Sequence, residues 1–343
     1  MSADKNVINL LYTMDDNFAM QAAVSMISLF ENNPDLRFQV FIISDRISKE
    51  NLEKLKSISS EYGHRIDIID MPDLDAMAGV SLYTNGWSKV SYCRVFLAEL
   101  LPDKVDKLIY LDPDTIVVDK ITGLTDILGS EEFEIRFLAA CLDSKSSFKR
   151  FHGFKRDEKY YNSGVLLVNL GLWRKKNLQK VFSDEIKRRR GRSIDPDQSL
   201  INCVLINKVM TLPARYNVMS LYYNEYRDYL KKSGYRPDET YSEKELKAAA
   251  SDPVIIHFAG DKKFRPWYAD CIHPEKEKWM HYFGKTGWKS FVPTEKAPYN
   301  PPSFSRAFKI RTVKILVQSP LAAKLYVRYK YGFIVRLYRK GDF

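Results

Sequence analysis

Asp112 and Asp114 flank Pro113 directly after the apolar run Leu108-Ile109-Tyr110-Leu111, and Ile116-Val117-Val118 follows almost at once. Carboxylates wedged between apolar runs are costly to bury unless they are paired or coordinate a metal. Hard oxygen ligands suit Mg²⁺ or Mn²⁺, ions that usually hold phosphate oxygens as well. If the first run is a strand, both acids lie at its carboxyl edge, where open α/β sheets bind ligands. The plain alternative is a β-turn, for which Asp-Pro-Asp is ordinary chemistry.

Other polar groups recur at the ends of apolar runs. Asp15-Asp16-Asn17 follows the first run, Asp143 closes the run through Cys141, Asn162-Ser163-Gly164 opens the next, and Asp195-Pro196-Asp197-Gln198 precedes a helical stretch. Each alone reads equally well as a cap or a turn. His257 follows Val254-Ile255-Ile256, with Gly260, Lys263 and Arg265 just beyond it. It is either a hydrogen-bonded structural histidine or a nitrogen ligand completing a site with Asp112 and Asp114, which would favour Mn²⁺ somewhat over Mg²⁺. Glycine beside it would let backbone approach a phosphate, and the cations that follow could neutralise it.

Alternating strand-like and helix-like segments position these groups, in the manner of a parallel α/β sheet. Residues 7–13, 38–44, 65–70, 107–111, 136–142 and 164–169 read as strands. Helices are expected over 18–32, over 48–63 with Ser48 as cap, over 87–101, over 178–190, and over 196–206 with Pro196 in its first turn. The three prolines of 297–302 mark a linker.

The chain has 343 residues, 45% of them apolar and 28% charged, as in a soluble globular protein. No apolar run reaches the ~18 residues of a membrane span, and the start lacks the apolar stretch of a secretory signal, so a cytoplasmic protein is expected. Four scattered cysteines suggest neither a zinc site nor a disulfide framework. From Ser303 onward ten cations face the single acid Asp342, so +9 of the formal +11 lies in the tail. With its Tyr and Phe residues this segment suits the headgroups of an anionic membrane. It shows no clean apolar stripe as one helix, and two short helices broken near Pro320 fit better. A basic nucleic-acid-binding protein would also explain such a tail, although the nearly neutral body offers no second patch. A dinucleotide-dependent oxidoreductase is disfavoured, because the first strand runs into Asp-Asp-Asn with no Gly-x-Gly-x-x-Gly turn.

Seven motifs occur in order: Tyr12-Thr-Met-Asp-Asp-Asn17, Ser91-Tyr-Cys-Arg94, Tyr110-Leu-Asp-Pro-Asp-Thr115, Ala140-Cys-Leu-Asp143, Tyr161-Asn-Ser-Gly-Val-Leu-Leu-Val-Asn169, Asp195-Pro-Asp-Gln-Ser199 and His257-Phe-Ala-Gly260. Together they resemble those of the family 8 glycosyltransferases, a retaining group that includes bacterial lipopolysaccharide galactosyl- and glucosyltransferases and glycogenin. The resemblance implies a single GT-A-type, Rossmann-like α/β domain with a mixed, mainly parallel sheet over residues 1–296. Residues 297–343 would be a linker and a basic, aromatic, membrane-associating tail.

The resemblance also implies roles. Asp112 and Asp114, with Pro113 at the variable position between them, match the family's metal ligands, and His257 matches the third. Thr13, Asp15 and Asn17 fall where the uridine of a UDP-sugar is held. Arg94 corresponds to an arginine reaching the donor diphosphate or sugar, while Asp143, Asn162, Ser163, Asp197 and Gln198 line the donor sugar. Gly260 and Lys263 match the phosphate-binding end. Here the sequence departs from the family pattern, since Phe264 and Arg265 separate Lys263 from Pro266-Trp267, leaving open which cation grips the diphosphate. The implied reaction is transfer of galactose or glucose from a UDP-hexose to a glycan or glycolipid acceptor at the inner face of the membrane. Gln198 stands where a retaining hydrolase has its nucleophilic carboxylate, which favours attack on the face that UDP leaves; a covalent step through Asp197 is the alternative.

Overall fold

The computed structural model describes residues 7–84, 86–143, 149, 152–155, 157–223, 240–260, 262–297, 319–332 and 336–338. Apolar runs form β1 (Val7–Asp15) and β2 (Arg37–Asp45), joined by α1 (Ala19–Asn32), and α2 (Lys49–Glu61) leads on to β3 (Arg65–Asp70). Ser48 caps α2 by accepting a hydrogen bond from Asn51 N at 3.3 Å. The remaining strands are β4 (Lys107–Leu111), β5 (Thr115–Val117), β6 (Leu138–Leu142), β7 (Tyr161–Asn169), β8 (Val209–Thr211), β9 (Val218–Met219) and β10 (Ile255–His257).

The central sheet runs β3-β2-β1-β4-β7-β6-β8, and a smaller one runs β5-β10-β9. In the large sheet β7 is antiparallel to β4 and β6, while the other pairs are parallel. This is the expected mixed, mainly parallel α/β architecture. Its topology has a direct consequence for chemistry: β1, β4 and β6 end at the edge where β7 begins. Groups that close three runs and open a fourth are thereby gathered in one place.

At that edge the chain changes sheets. Thr115 N donates to Asp112 O at 3.2 Å, so Asp112–Thr115 is a turn as well as a placement of two acids. The chain then enters β5, which pairs with β10 so that Thr115 lies opposite His257. Helix α1 fixes β5 from its other side. Ser28 Oγ accepts from Val117 N at 2.9 Å, Asn32 Nδ2 donates to Val117 O at 3.0 Å, and Ser25 Oγ meets Thr115 Oγ1 at 3.1 Å. These three side chains recur at helical spacing, and Ser28 and Asn32 satisfy the backbone of a strand edge that has no strand beside it among the described residues.

Two expected helices differ. Residues 87–101 form a 3₁₀ segment, Lys89–Val95, and one α-turn, Leu97–Leu100. Val90 through Val95 are buried without interruption. The helix expected from Pro196 begins later, as Gln198–Val204, because Ser193 and Ser199 hydroxyls bond Asp195 O and hold Asp195-Pro196 in an irregular bend. Of the expected linker, 298–302 lies outside the described residues; Ala297 is buried, with its N–H on Asp270 Oδ1 at 2.6 Å. In the tail, residues 303–318, where the first of the two expected short helices would lie, are outside the described residues; a helix, Pro320–Tyr331, starts at the expected break. Its Ala323 and Val327 are buried, and beyond it Tyr338 donates its N–H to Cys203 O and its hydroxyl to Glu185 Oε2.

Candidate active site

Asp112, Asp114 and His257 converge where the two sheets meet. His257 Nε2 lies 3.2 Å from Asp114 Oδ1 and 3.7 Å from Asp112 Oδ2, and one ligand atom from each residue falls within 4.8 Å of the others. Such proximity needs space on β7, which Gly164 provides: a Cβ there would sit 2.2 Å from His257 Cε1 and 2.9 Å from Asp112 Oδ2. Any side chain at position 164 would push the histidine away from the acids.

Groups behind the three residues orient them. Tyr110 hydroxyl donates to Asp112 Oδ1 at 2.6 Å, and Thr13 Oγ1 steadies Tyr110 at 3.1 Å. Asn217 Oδ1 lies 2.9 Å from His257 Nδ1, and because an amide oxygen only accepts, Nδ1 carries an N–H and Nε2 is the nitrogen that faces the acids. Burial alone lowers a histidine, yet Asp114 and Asp112 outweigh it and hold His257 above the usual imidazole range. Burial likewise raises both acids. Asp112 stays above its ordinary value despite Arg94, whereas His257 brings Asp114 below it. One buried and one half-buried carboxylate with an oriented imidazole are a donor set that fits a divalent metal ion.

A hydrogen-bonded polar set adjoins this group. Asp143 Oδ2 accepts from Asn162 Nδ2 at 3.2 Å and Gln198 Nε2 at 3.3 Å, and Gln198 Oε1 accepts from Ser163 N at 3.1 Å. Asn162 Oδ1 accepts from Asn217 Nδ2 at 2.8 Å, so Asn217 joins this set to the histidine. Arg94 makes a second link. Its buried guanidinium lies 3.3 Å from Asp112 and 3.2 Å from Asp197, donates to Ser163 O and Oγ at 3.0 Å, and faces the Tyr110 ring at 4.9 Å.

A cavity of about 440 Å³ opens onto these residues. Of the residues expected from sequence, its wall contains Arg94, Asp112, Asp114, Asp143, Asn162, Ser163, Asp197, Gln198, His257, Gly260 and Arg265. Thr13 and Pro113 are buried behind the wall, while Asp15 caps its own turn through Asn17 N at 3.1 Å and Asn17 is exposed. Between the two candidate cations, Arg265 lines the cavity and Lys263 does not. Arg265 also helps to lower Asp114. Sequence reasoning assigned no role to Asn217, Trp87, Leu221 or Ala259. Trp87 and Asp195 stood in segments already noted, but nothing in the spacing around Asn217 singled it out.

Residues 9–271 match Glycosyl transferase family 8. The chain is 26% identical over 302 residues to a lipopolysaccharide 1,2-glucosyltransferase of Escherichia coli, covering 86% of this chain and 83% of that one. A lipopolysaccharide 1,3-galactosyltransferase of Salmonella typhimurium is 24% identical over 292 residues, covering 83% and 80%. The crystal structure of the galactosyltransferase LgtC with donor and acceptor sugar analogs aligns at a TM-score of 0.66 and 25% identity, over 83% of this chain and all of that one. The mixed sheet is therefore the GT-A fold of that enzyme, and this chain belongs to glycosyl transferase family 8.

Proposed function

We propose that this chain is a retaining, divalent-metal-dependent transferase that moves galactose or glucose from a UDP-sugar to a hydroxyl of a surface glycan or lipid-linked saccharide. The observation that carries the reading is the Asp112, Asp114 and His257 group opening onto the same cavity as Asp143, Asn162 and Gln198. Two relatives named as lipopolysaccharide glucosyl- and galactosyltransferases support the choice of hexose.

Asp112, Asp114 and His257 would hold Mn²⁺ or Mg²⁺, whose charge offsets that of a departing UDP diphosphate. Arg265 adds a fixed cation, and Gly260, at φ 110°, offers backbone to a phosphate without a side chain in the way. Lys263, just outside the wall, is the second candidate for the diphosphate. Thr13, Asp15 and Asn17 at the end of β1 would take the uridine. As the anomeric carbon–phosphate oxygen bond breaks, the acceptor oxygen attacks on the same face, and its proton passes to the leaving phosphate oxygen. Gln198, an uncharged amide held by Ser163 N and Asp143, lines the sugar without becoming a nucleophile. The covalent route through Asp197 would disrupt its ion pair with Arg94. Catalysis would reside in residues 1–296, with 297–343 attaching the enzyme peripherally to the inner membrane face.

The test is a panel of UDP-sugars with the full chain. We expect hydrolysis of UDP-galactose or UDP-glucose that requires Mn²⁺ or Mg²⁺, stops in excess EDTA, and first releases the donor's own anomer. Asp114→Asn should abolish it while the fold remains. Full activity in EDTA, or a β-linked product from an α-linked donor, would overturn the reading.

A further inference from the structure

Among the described wall residues, Trp87 alone is a large apolar residue more exposed than buried, at 59%, while the polar groups around Gln198 are half-buried or buried. Among the described residues, no ring or cation stacks on either face of its indole. The backbone of Tyr83 and of Trp87 is nevertheless bonded to its neighbours. Tyr83 N donates to Gly191 O at 2.8 Å, Tyr92 hydroxyl donates to Tyr83 O at 2.9 Å, and Trp87 N donates to Thr84 O at 3.0 Å. Gly191, at φ 70°, lies so close that a Cβ would stand 1.9 Å from Ser81 O. An open aromatic face at the rim of a sugar-transferring cavity is suited to the C–H face of a second pyranose.

Charge narrows the ligand. Besides the metal-site acids Asp112 and Asp114, the wall carries Asp143, Asp195 and Asp197 against Arg94 and Arg265, and Arg94 is held by Asp112 and Asp197. A phosphorylated or carboxylated pyranose would add a further negative charge beside them. Resting on the transferase reading above, we propose that Trp87 is the stacking platform for the acceptor and that the sugar stacked there is an uncharged pyranose.

Trp87→Ala and Trp87→Phe, made in the full chain, test this with methyl β-D-galactopyranoside and methyl β-D-glucopyranoside as acceptors. The ratio of acceptor KM to donor KM should rise at least tenfold in the Ala variant and recover in part in the Phe variant. Iodide quenching gives a readout apart from turnover. With UDP and Mn²⁺ present, a neutral glycoside should reduce iodide quenching of the wild type and leave that of Trp87→Phe unchanged, whereas glucose 6-phosphate should reduce it less. An unchanged KM ratio, a donor KM that rises in step, an absence of shielding, or stronger shielding by the phosphate sugar would overturn the proposal. A wild type that hydrolyses no UDP-sugar would overturn the transferase reading beneath it; an active wild type with an indifferent Trp87→Ala would overturn this inference alone.

Discussion

His257 reaches the two acids with one nitrogen and Asn217 with the other, so its tautomer depends on a residue 40 positions away. Replacing Asn217 by Ala would leave His257 Nδ1 and Asn162 Oδ1 without these partners inside the fold. We expect Mn²⁺ to activate UDP-sugar hydrolysis at a concentration roughly 10–100-fold higher, and stability to fall by ~1–3 kcal/mol. A Mn²⁺ titration unchanged in Asn217→Ala would remove its orienting role. The raised value of His257 sets a pH dependence. Its protonated form is favoured by the fold, so its contribution is complete below the ordinary 6.5 and is lost as pH rises through the raised value. A metal ion needs Nε2 unprotonated, so the Tm increase produced by Mn²⁺ with UDP should grow over that same interval. A Tm increase independent of pH from 6 to 9 would exclude His257 as a ligand. Asp112 and Asp114 were legible because acids between two apolar runs demand an explanation. Asn217 was not, because its role is defined only by partners 40 and 55 residues distant.

The elements show the same division between local pattern and tertiary context. Strand runs that end in acids could be read one at a time, and the reversed direction of β7 was foreshadowed by polar residues that open its run instead of closing it. The 3₁₀ segment Lys89–Val95 was obscured, since its apolar spacing also fits an α-helix. The change of sheet after Leu111 had no local signal at all. It depends on α1, whose Ser25, Ser28 and Asn32 replace a missing strand beside β5. Ser28→Ala should therefore leave Val117 N unsatisfied, lower stability by ~1–3 kcal/mol and loosen the turn that carries Asp112 and Asp114. Thermal unfolding together with Mn²⁺ affinity would check it. Loss of neither would show that α1 does not hold the turn.

At the scale of the molecule the charge is carried by the tail, and its helix explains why no single apolar stripe was visible there. Ala323 and Val327 face the body and are buried; Leu321, Leu325 and Tyr329 are exposed at 68%, 57% and 90%. At 100° per residue these two sets lie half a turn apart, so they cancel when the helix is tested for one amphipathic face. The outer stripe has Lys324 and Arg328 along its flank, an arrangement suited to an anionic headgroup layer. No helix among the described residues is long and apolar enough to cross a membrane, so attachment of this kind would be peripheral. Cutting the chain at Pro302 is a poor test, because it also removes Ala323, Val327 and the Tyr338 bonds to Cys203 and Glu185. Surface changes leave that packing in place. With each cation near an anionic surface contributing ~1 kcal/mol, Lys324→Gln combined with Arg328→Gln should weaken binding to phosphatidylserine-containing vesicles roughly thirtyfold. Binding of the wild type should also fall as salt rises. Co-sedimentation with anionic and zwitterionic vesicles measures both effects, and equal binding to the two vesicle types, or by the two proteins, would remove the membrane role from this helix.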